Sequence, residues 1–296
     1  MKLKTWFLET RPRFLVLEVV LAFLGTCIAW YHGAFHLGYA VLAFVGLLLG
    51  NTSVNVLNDY FDYRSGIDLA TVRTPFSGGS GFLPEGMLKP GQVLAFGLIA
   101  FALDVPIGVY FVAVRGWALL PLILVGALCL LLYTPVLTKI GWPEWAPGLG
   151  FGILPILGVY FVQTTTFTLP AVIASIPSGI LAHNLLFFNE FPDVEADRKG
   201  GRKTLPITLG KERASVLYAA LTALIYVWII GGVVAQAMPT FSLLALLTIP
   251  LAVKAIQGAR QYDDESKLVP ALGINIMIVL LTQTLMGIGY ILARVF

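Results

Sequence analysis

Residues 37–68 read LGYAVLAFVGLLLGNTSVNVLNDYFDYRSGID. From Leu37 to Gly50 there is no charged side chain, as expected of helix immersed in hydrocarbon. Then Asn51, Asn55, Asn58 and Asp62 enter at steps of four, three and four, which stacks them along one helix face. Amides and carboxylates are costly against lipid, so that stripe is expected to face the interior of a bundle. It ends among the acids Asp59, Asp62 and Asp68, and what those acids hold is the functional question.

The rest of the chain has the same character. Of 296 residues, 58% are hydrophobic and 12% charged, about half the charge of an ordinary soluble domain. That composition excludes a soluble nucleic-acid binder and points to a bilayer. Apolar runs long enough to cross one as helix lie at 14–31, 38–58, 92–114, 117–134, 146–163, 170–189, 214–236, 241–258 and 268–293. None shows the alternation of barrel strands. The expectation is an all-α integral membrane protein, nine transmembrane helices in a bundle, forming one domain over residues 1–296. The opening MKLKTWFLETRPRFLVLEVVLAFLG is read as a retained first span, since its apolar stretch is long and no small-residue cleavage pattern follows. Cys27 and Cys129 sit singly in apolar runs, so neither a disulfide framework nor a zinc site is suggested.

Lys and Arg accumulate in short cytoplasmic loops. On the nine-span map almost every cation falls on one side, leaving only Arg115 and Arg294 opposite. The expectation is a cell-membrane protein with its N-terminus and active-site loops cytoplasmic and its C-terminus on the other face. Nine of the 16 acids follow spans two and six, a polar cap on that cytoplasmic side.

The second acidic cluster, NEFPDVEADRKGGRKTLPITLG at 189–210, mirrors the first. Asn58 and Asp62 correspond to Asn189 and Asp193 at an offset of 131 residues. Four spans separate the copies, so the half-chain reads as a parallel internal repeat. Asp193 and Asp197 are again one helical turn apart. Helix capping is the competing reading of such residues, but a cap needs one acid rather than two clusters. Mg²⁺ is commonly held by a few carboxylates together with phosphate oxygens, so two facing clusters suggest a metal–diphosphate clamp. Arg64, Arg73, Lys139, Arg198, Arg202 and Lys203 are the cations available to neutralise the diphosphate.

NDYFDYRSGID at 58–68, DVEAD at 193–197 and the following GRKTLP resemble the paired aspartate motifs of the UbiA-type intramembrane prenyltransferases, NDxxDxxxD and DxxxD. One feature departs from that pattern: Gly66 stands where the third Asp belongs, and Asp68 comes two residues later. That GxD ending and RTPFSGGSGFLPEG at 73–86 resemble the branch that includes the 1,4-dihydroxy-2-naphthoate prenyltransferases of menaquinone synthesis. The resemblance implies Mg²⁺ at Asn58, Asp59, Asp62, Asp68, Asp193 and Asp197. Through YTPVLTKIGWPEW at 133–145 it implies Tyr133 near the reacting carbon and Lys139 on diphosphate, with Arg64, Arg73, Arg198 and Lys203 as further phosphate contacts. It also implies the substrates, a polyprenyl diphosphate and an aromatic acceptor, and a prenyl cation shielded from water, for which Tyr133, Tyr160, Phe187 and Phe188 are candidates. Other acceptors remain open: 4-hydroxybenzoate, haem or chlorophyll precursors, a glycerol phosphate ether. So does a different class, a transporter with the acids on a cation path.

The connection at 63–91 is long for a membrane bundle and glycine-rich, which suggests a lid. Glu18 and Asp104 lie within apolar spans without a motif partner, and His183 with Asn184 precedes the second motif. Nothing points to nucleic acid or an obligate protein partner.

Overall fold

The computed structural model describes residues 2–71, 73–74 and 78–296, and among these there are helices and no strands. Nine of the helices are long and apolar enough to span a membrane: α1 Pro12–Tyr31, α2 Leu37–Ser65, α3 Pro90–Arg115, α4 Trp117–Ile140, α5 Trp145–Thr164, α6 Leu169–Asn189, α7 Lys211–Val234, α8 Thr240–Arg260 and α9 Glu265–Val295. Each agrees with its expected run to within three residues except α2 and α4. α2 continues past residue 58 to Ser65 and carries Asn58, Asp59 and Asp62 as regular helix, and α4 continues past residue 134 to Ile140.

Local chemistry sets the boundaries. His36 accepts the Tyr39 N–H at the start of α2, and Thr168 does the same for Ala171 at the start of α6. Gly66, at φ 83°, ends α2 in the left-handed conformation that glycine adopts most cheaply. Pro135 cannot donate to the helix ladder, and around it α4 widens into a π turn at Tyr133–Leu137. A second π turn, Leu149–Ile153, follows Pro147 in α5.

The main core is built from α1 and α5 to α9, where Leu21, Leu24, Ile156, Phe187, Tyr218 and Leu272 are fully enclosed. α3 and α4 lie outside it, with Leu98, Ile99, Leu103, Leu124 and Leu128 exposed. In lipid this carries no hydrophobic penalty. A short N-terminal helix, Lys2–Glu9, sets Trp6 edge-on to Phe96 of α3. Beside it the α2–α3 connection tucks Leu83 against Val56, Leu88 and Val93. Val72 and residues 75–77 of the expected lid lie outside the described residues.

The two halves of the expected repeat differ locally. Asn58 and Asp62 lie in one unbroken helix, whereas Asn189 ends α6 and Asp193 caps a separate short helix, Val194–Lys199.

α5 and α6 meet through glycine. A Cβ on Gly152 would stand 2.5 Å from the Gly179 Cα and the Ser178 carbonyl, the small-residue contact that lets membrane helices approach closely. Gly152→Ala is therefore expected to lower stability by about 1–3 kcal/mol. Gly231→Ala, with nothing within 4 Å of the new carbon, is expected to be neutral. Denaturation in detergent, followed by circular dichroism, compares the two; equal stabilities would refute the close contact.

Candidate active site

α2 and the segment after α6 bring both acidic motifs to one end of the bundle. Arg202 joins them: its guanidinium donates to Asp62 on one side and to Asp197, at 2.9 Å, on the other. The turn that allows this runs through Gly201 at φ 78°, after which the Arg202 N–H donates to the Asp197 carbonyl at 3.0 Å. Burial alone would lower the Arg202 pKa, but Asp62 and Asp197 outweigh it and hold the group above its ordinary value. Burial pushes the Asp197 carboxyl up to about 6, against the pull of Arg202.

A second arginine works from the N-terminal side. Arg11, in left-handed backbone just before α1, pairs with Asp59. Asp59 also accepts the Ser80 N–H at 3.0 Å, and the Ser80 hydroxyl donates to Glu9 at 2.6 Å. Gly66 turns the chain into the one-turn helix Ile67–Ala70, which returns Asp68 to the site. A Cβ on Gly79 would lie 3.1 Å from a carboxylate oxygen of Asp59 and 3.1 Å from one of Asp68, so glycine leaves room between these acids. Burial, reinforced by Asp62, pushes the Asp68 carboxyl up to about 7.

These groups roof a cavity of about 880 Å³. Among the described residues its walls come from the first six spans. Asn58, Asp62, Asp68, Asp193, Asp197 and Arg202 line the head, and α3, α4 and α5 supply an apolar body that includes Phe101, Ile107, Ile123, Leu130 and Phe151. Tyr133 enters from the π turn of α4, and the next residue, Thr134, accepts from Asn58 at 3.1 Å. Asn51 and Asn55 also face the cavity, so the stripe read from 51–62 points inward as its spacing required. Glu18 lines it from α1 and Asp104 from α3, close to Gly46 and Gly50.

Of the residues singled out from sequence, Asn58, Asp62, Asp68, Asp193, Asp197 and Tyr133 share this cavity, and Asp59 sits behind it, paired with Arg11 of the lining. Arg64, Lys139, Arg198 and Lys203 are exposed and outside the lining. Arg198 pairs with Glu195 at 3.3 Å, and Arg73 with Glu85 at 2.8 Å. Tyr160, Phe187 and Phe188 lie in the main core, Phe188 against Tyr218 and Tyr160 accepting from Thr168 at the start of α6. His183 contacts Asn184, which donates to Thr222 in the core.

The sequence reading missed Arg11, Glu144 and Glu190 as site residues. Glu190 lines the head beside Asn189. Its carboxyl is held well above the ordinary range, first by burial and then by the neighbouring Glu144. Glu144 accepts the Leu205 N–H and so ties the α4–α5 connection to the second motif. A signal for Glu190 was present: it stands 131 residues after Asp59, the same offset as the two asparagines.

The donors at the head are carboxylate and amide oxygens, the set that suits a hard cation. Among the described residues no three His, Cys, Asp or Glu side chains converge closely enough to form a self-sufficient metal site.

A helical bundle of membrane-spanning length, with a head of carboxylates and guanidinium groups above an apolar cavity, defines a membrane-embedded protein shaped for an amphiphile with a charged head. The model of the UbiA prenyltransferase family matches residues 19–278. The chain belongs to that family, as a multi-pass membrane prenyltransferase. It is 31% identical over 270 residues to the 1,4-dihydroxy-2-naphthoate octaprenyltransferase of Bacillus subtilis (strain 168), covering 89% of this chain and 84% of that one. In fold it is similar to a UbiA homologue from Aeropyrum pernix K1, with TM-score 0.74 at 17% identity over 94% of this chain and 97% of that one. It is also similar to a UbiA homologue from Archaeoglobus fulgidus bound to GPP and Mg²⁺, with TM-score 0.62 at 14% identity over 95% and 99%.

Removing Arg202 leaves Asp62 and Asp197 facing each other uncompensated. Arg202→Ala is expected to cost about 3–5 kcal/mol. Arg198→Ala, which breaks only an exposed pair, is expected to cost under about 1 kcal/mol. Melting in detergent at neutral pH separates the two, and equal losses would show that the Arg202 bridge does not hold the motifs together.

Proposed function

We propose that this protein transfers a polyprenyl group from an allylic diphosphate to 1,4-dihydroxy-2-naphthoate, with Mg²⁺ as cofactor, in menaquinone biosynthesis. The observation that carries the reading is the convergence of both acidic motifs, 140 residues apart at Asp62 and Arg202, over an apolar cavity. The choice of acceptor rests on the likeness to the Bacillus subtilis octaprenyltransferase.

Asn58, Asp62, Asp68, Asp193 and Asp197 are the residues to hold the ion, with Asp59 behind them. When bound, Mg²⁺ supplies Lewis-acid stabilisation to the departing diphosphate. Arg11 and Arg202 place fixed positive charge among these acids, where the diphosphate oxygens arrive. As the allylic C1–O bond breaks, its electrons leave with diphosphate and C1 becomes cationic. Tyr133 lines the same cavity and is the ring we assign to face that cation. The apolar walls exclude water that would otherwise quench it. The electron-rich acceptor ring then bonds C1 and is restored to aromaticity by losing its carboxylate as CO₂.

The N-terminus and site loops are read as cytoplasmic and the C-terminus as opposite, from the distribution of Lys and Arg. The expected lid at 63–91 falls on the 66–89 connection between α2 and α3, and its Ser80 ties it to Asp59 and Glu9 beside the head, which supports reading it as a cover for the site.

The test is transfer of a radiolabelled prenyl group to 1,4-dihydroxy-2-naphthoate by the purified protein, with Mg²⁺ or with EDTA, alongside Asp62→Asn and Asp193→Asn. The expected outcome is metal-dependent product, reduced by about 10²-fold or more in either variant. Product from 4-hydroxybenzoate or a glycerol phosphate acceptor alone would move the pathway and keep the chemistry. Full activity in EDTA would overturn the metal's role.

A further inference from the structure

Glu18 is a carboxyl group in the middle of a membrane-spanning helix, with 0% of its surface exposed to solvent. Its Oε1 accepts from the Asn51 side chain at 2.6 Å, while its Oε2 is buried with no hydrogen-bond partner. Asn51 is itself fixed, since its Oδ1 accepts from Asn55 at 2.9 Å and Asn55 also donates to the Thr10 carbonyl at 3.1 Å. Glu18, Asn51 and Asn55 all line the cavity below the acidic head. A buried carboxyl oxygen left unmatched is a standing cost unless a ligand pairs with it, as donor or as acceptor. A prenyl tail has no hydrogen-bonding group to give, so this wall does not suit the tail. A dihydroxylated aromatic ring does have one.

We propose that Glu18, held by Asn51, is the group that binds the aromatic acceptor, its free Oε2 hydrogen-bonding a ring hydroxyl, which can donate or accept. This rests on the prenyl-transfer reading above and names the acceptor side of the same cavity. The apolar α3 and α4 walls then receive the prenyl chain. The α1–α2 wall holds the ring beneath the diphosphate, facing C1. A site built to hydrogen-bond a hydroxyl rejects analogues that lack it, because its own buried oxygen is then left unpaired.

The test compares steady-state transfer by the wild-type enzyme, Glu18→Leu and Asn51→Ala with 1,4-dihydroxy-2-naphthoate and geranylgeranyl diphosphate in the presence of Mg²⁺. Inhibition constants of 1-hydroxy-2-naphthoate and 4-hydroxy-2-naphthoate are measured in parallel. Glu18→Leu is expected to raise KM for the naphthoate about tenfold or more and to leave KM for the diphosphate within about twofold. Asn51→Ala, which keeps the carboxyl and loses its holder, is expected to shift the same constant in the same direction by less. One of the two monohydroxy compounds is expected to bind wild type and Glu18→Leu alike. A naphthoate KM unchanged in both variants, or both substrates' constants raised together, would overturn the assignment while wild-type turnover left the prenyl-transfer reading standing. No turnover by the wild-type enzyme with this acceptor would remove that reading and the assignment with it.

Discussion

The structure depends on one bridge. Arg202 lies between Asp62 of α2 and Asp197 of the helix after α6 and is bonded to both. Each of those carboxylates is buried, and either one alone would be expelled toward solvent or neutralised by a proton. Because the arginine is shared, the two ends of the cavity roof are fixed to each other rather than to water. Arg11 repeats the device on the N-terminal side, joining Asp59 to the chain that enters α1.

The bilayer explains why the remaining design is so uneven. α3 and α4 need no polar partners and face outward with leucine and isoleucine. Of the helices that border the site, α1, α5 and α6 are the most enclosed. Lipid gives no hydrophobic force between helices, so close approach must come from small residues and hydrogen bonds. Gly152 against Gly179, and Tyr218 donating to Asn275, are contacts of those two kinds. Each π turn presents residues to the cavity, Tyr133 from Tyr133–Leu137 and Gly150 with Phe151 from Leu149–Ile153, where irregular backbone in a membrane protein is tolerated.

Much of this was legible in the sequence, for physical reasons that can be named. The spans are legible because hydrocarbon thickness imposes a length, and the inward stripe of Asn51, Asn55, Asn58 and Asp62 because helical period imposes a face. Asp68 defeats that reasoning: its facing depends on the Gly66 turn, which periodicity does not contain. The choice of cations is equally opaque. Arg64 and Arg198 stand within two residues of Asp62 and Asp197 in sequence, yet it is Arg11 that packing brings to Asp59 and Arg202 that it brings to Asp62. Phe187 and Phe188, adjacent to the second motif, turn into the core, since the α6 face that carries them packs on Tyr218 of α7. Glu18 looked isolated because its partner lies 33 residues away on the next helix.

The charge of the head narrows what it can accept. Among the described residues, Asp62, Asp68, Asp193 and Asp197 line it with Arg11 and Arg202 to oppose them, so when the acids are ionised the head is negative overall. A diphosphate would add more negative charge to a region already poor in water, where like charges repel most strongly. The protein's own side chains cannot balance that sum. On the proposed function the anion would enter together with cations, and oxygen donors of this kind suit a hard divalent ion. The arginines and the acids are then not alternatives for the phosphate. The arginines keep the acids in register, and the acids are the groups proposed to meet a metal that arrives with its ligand.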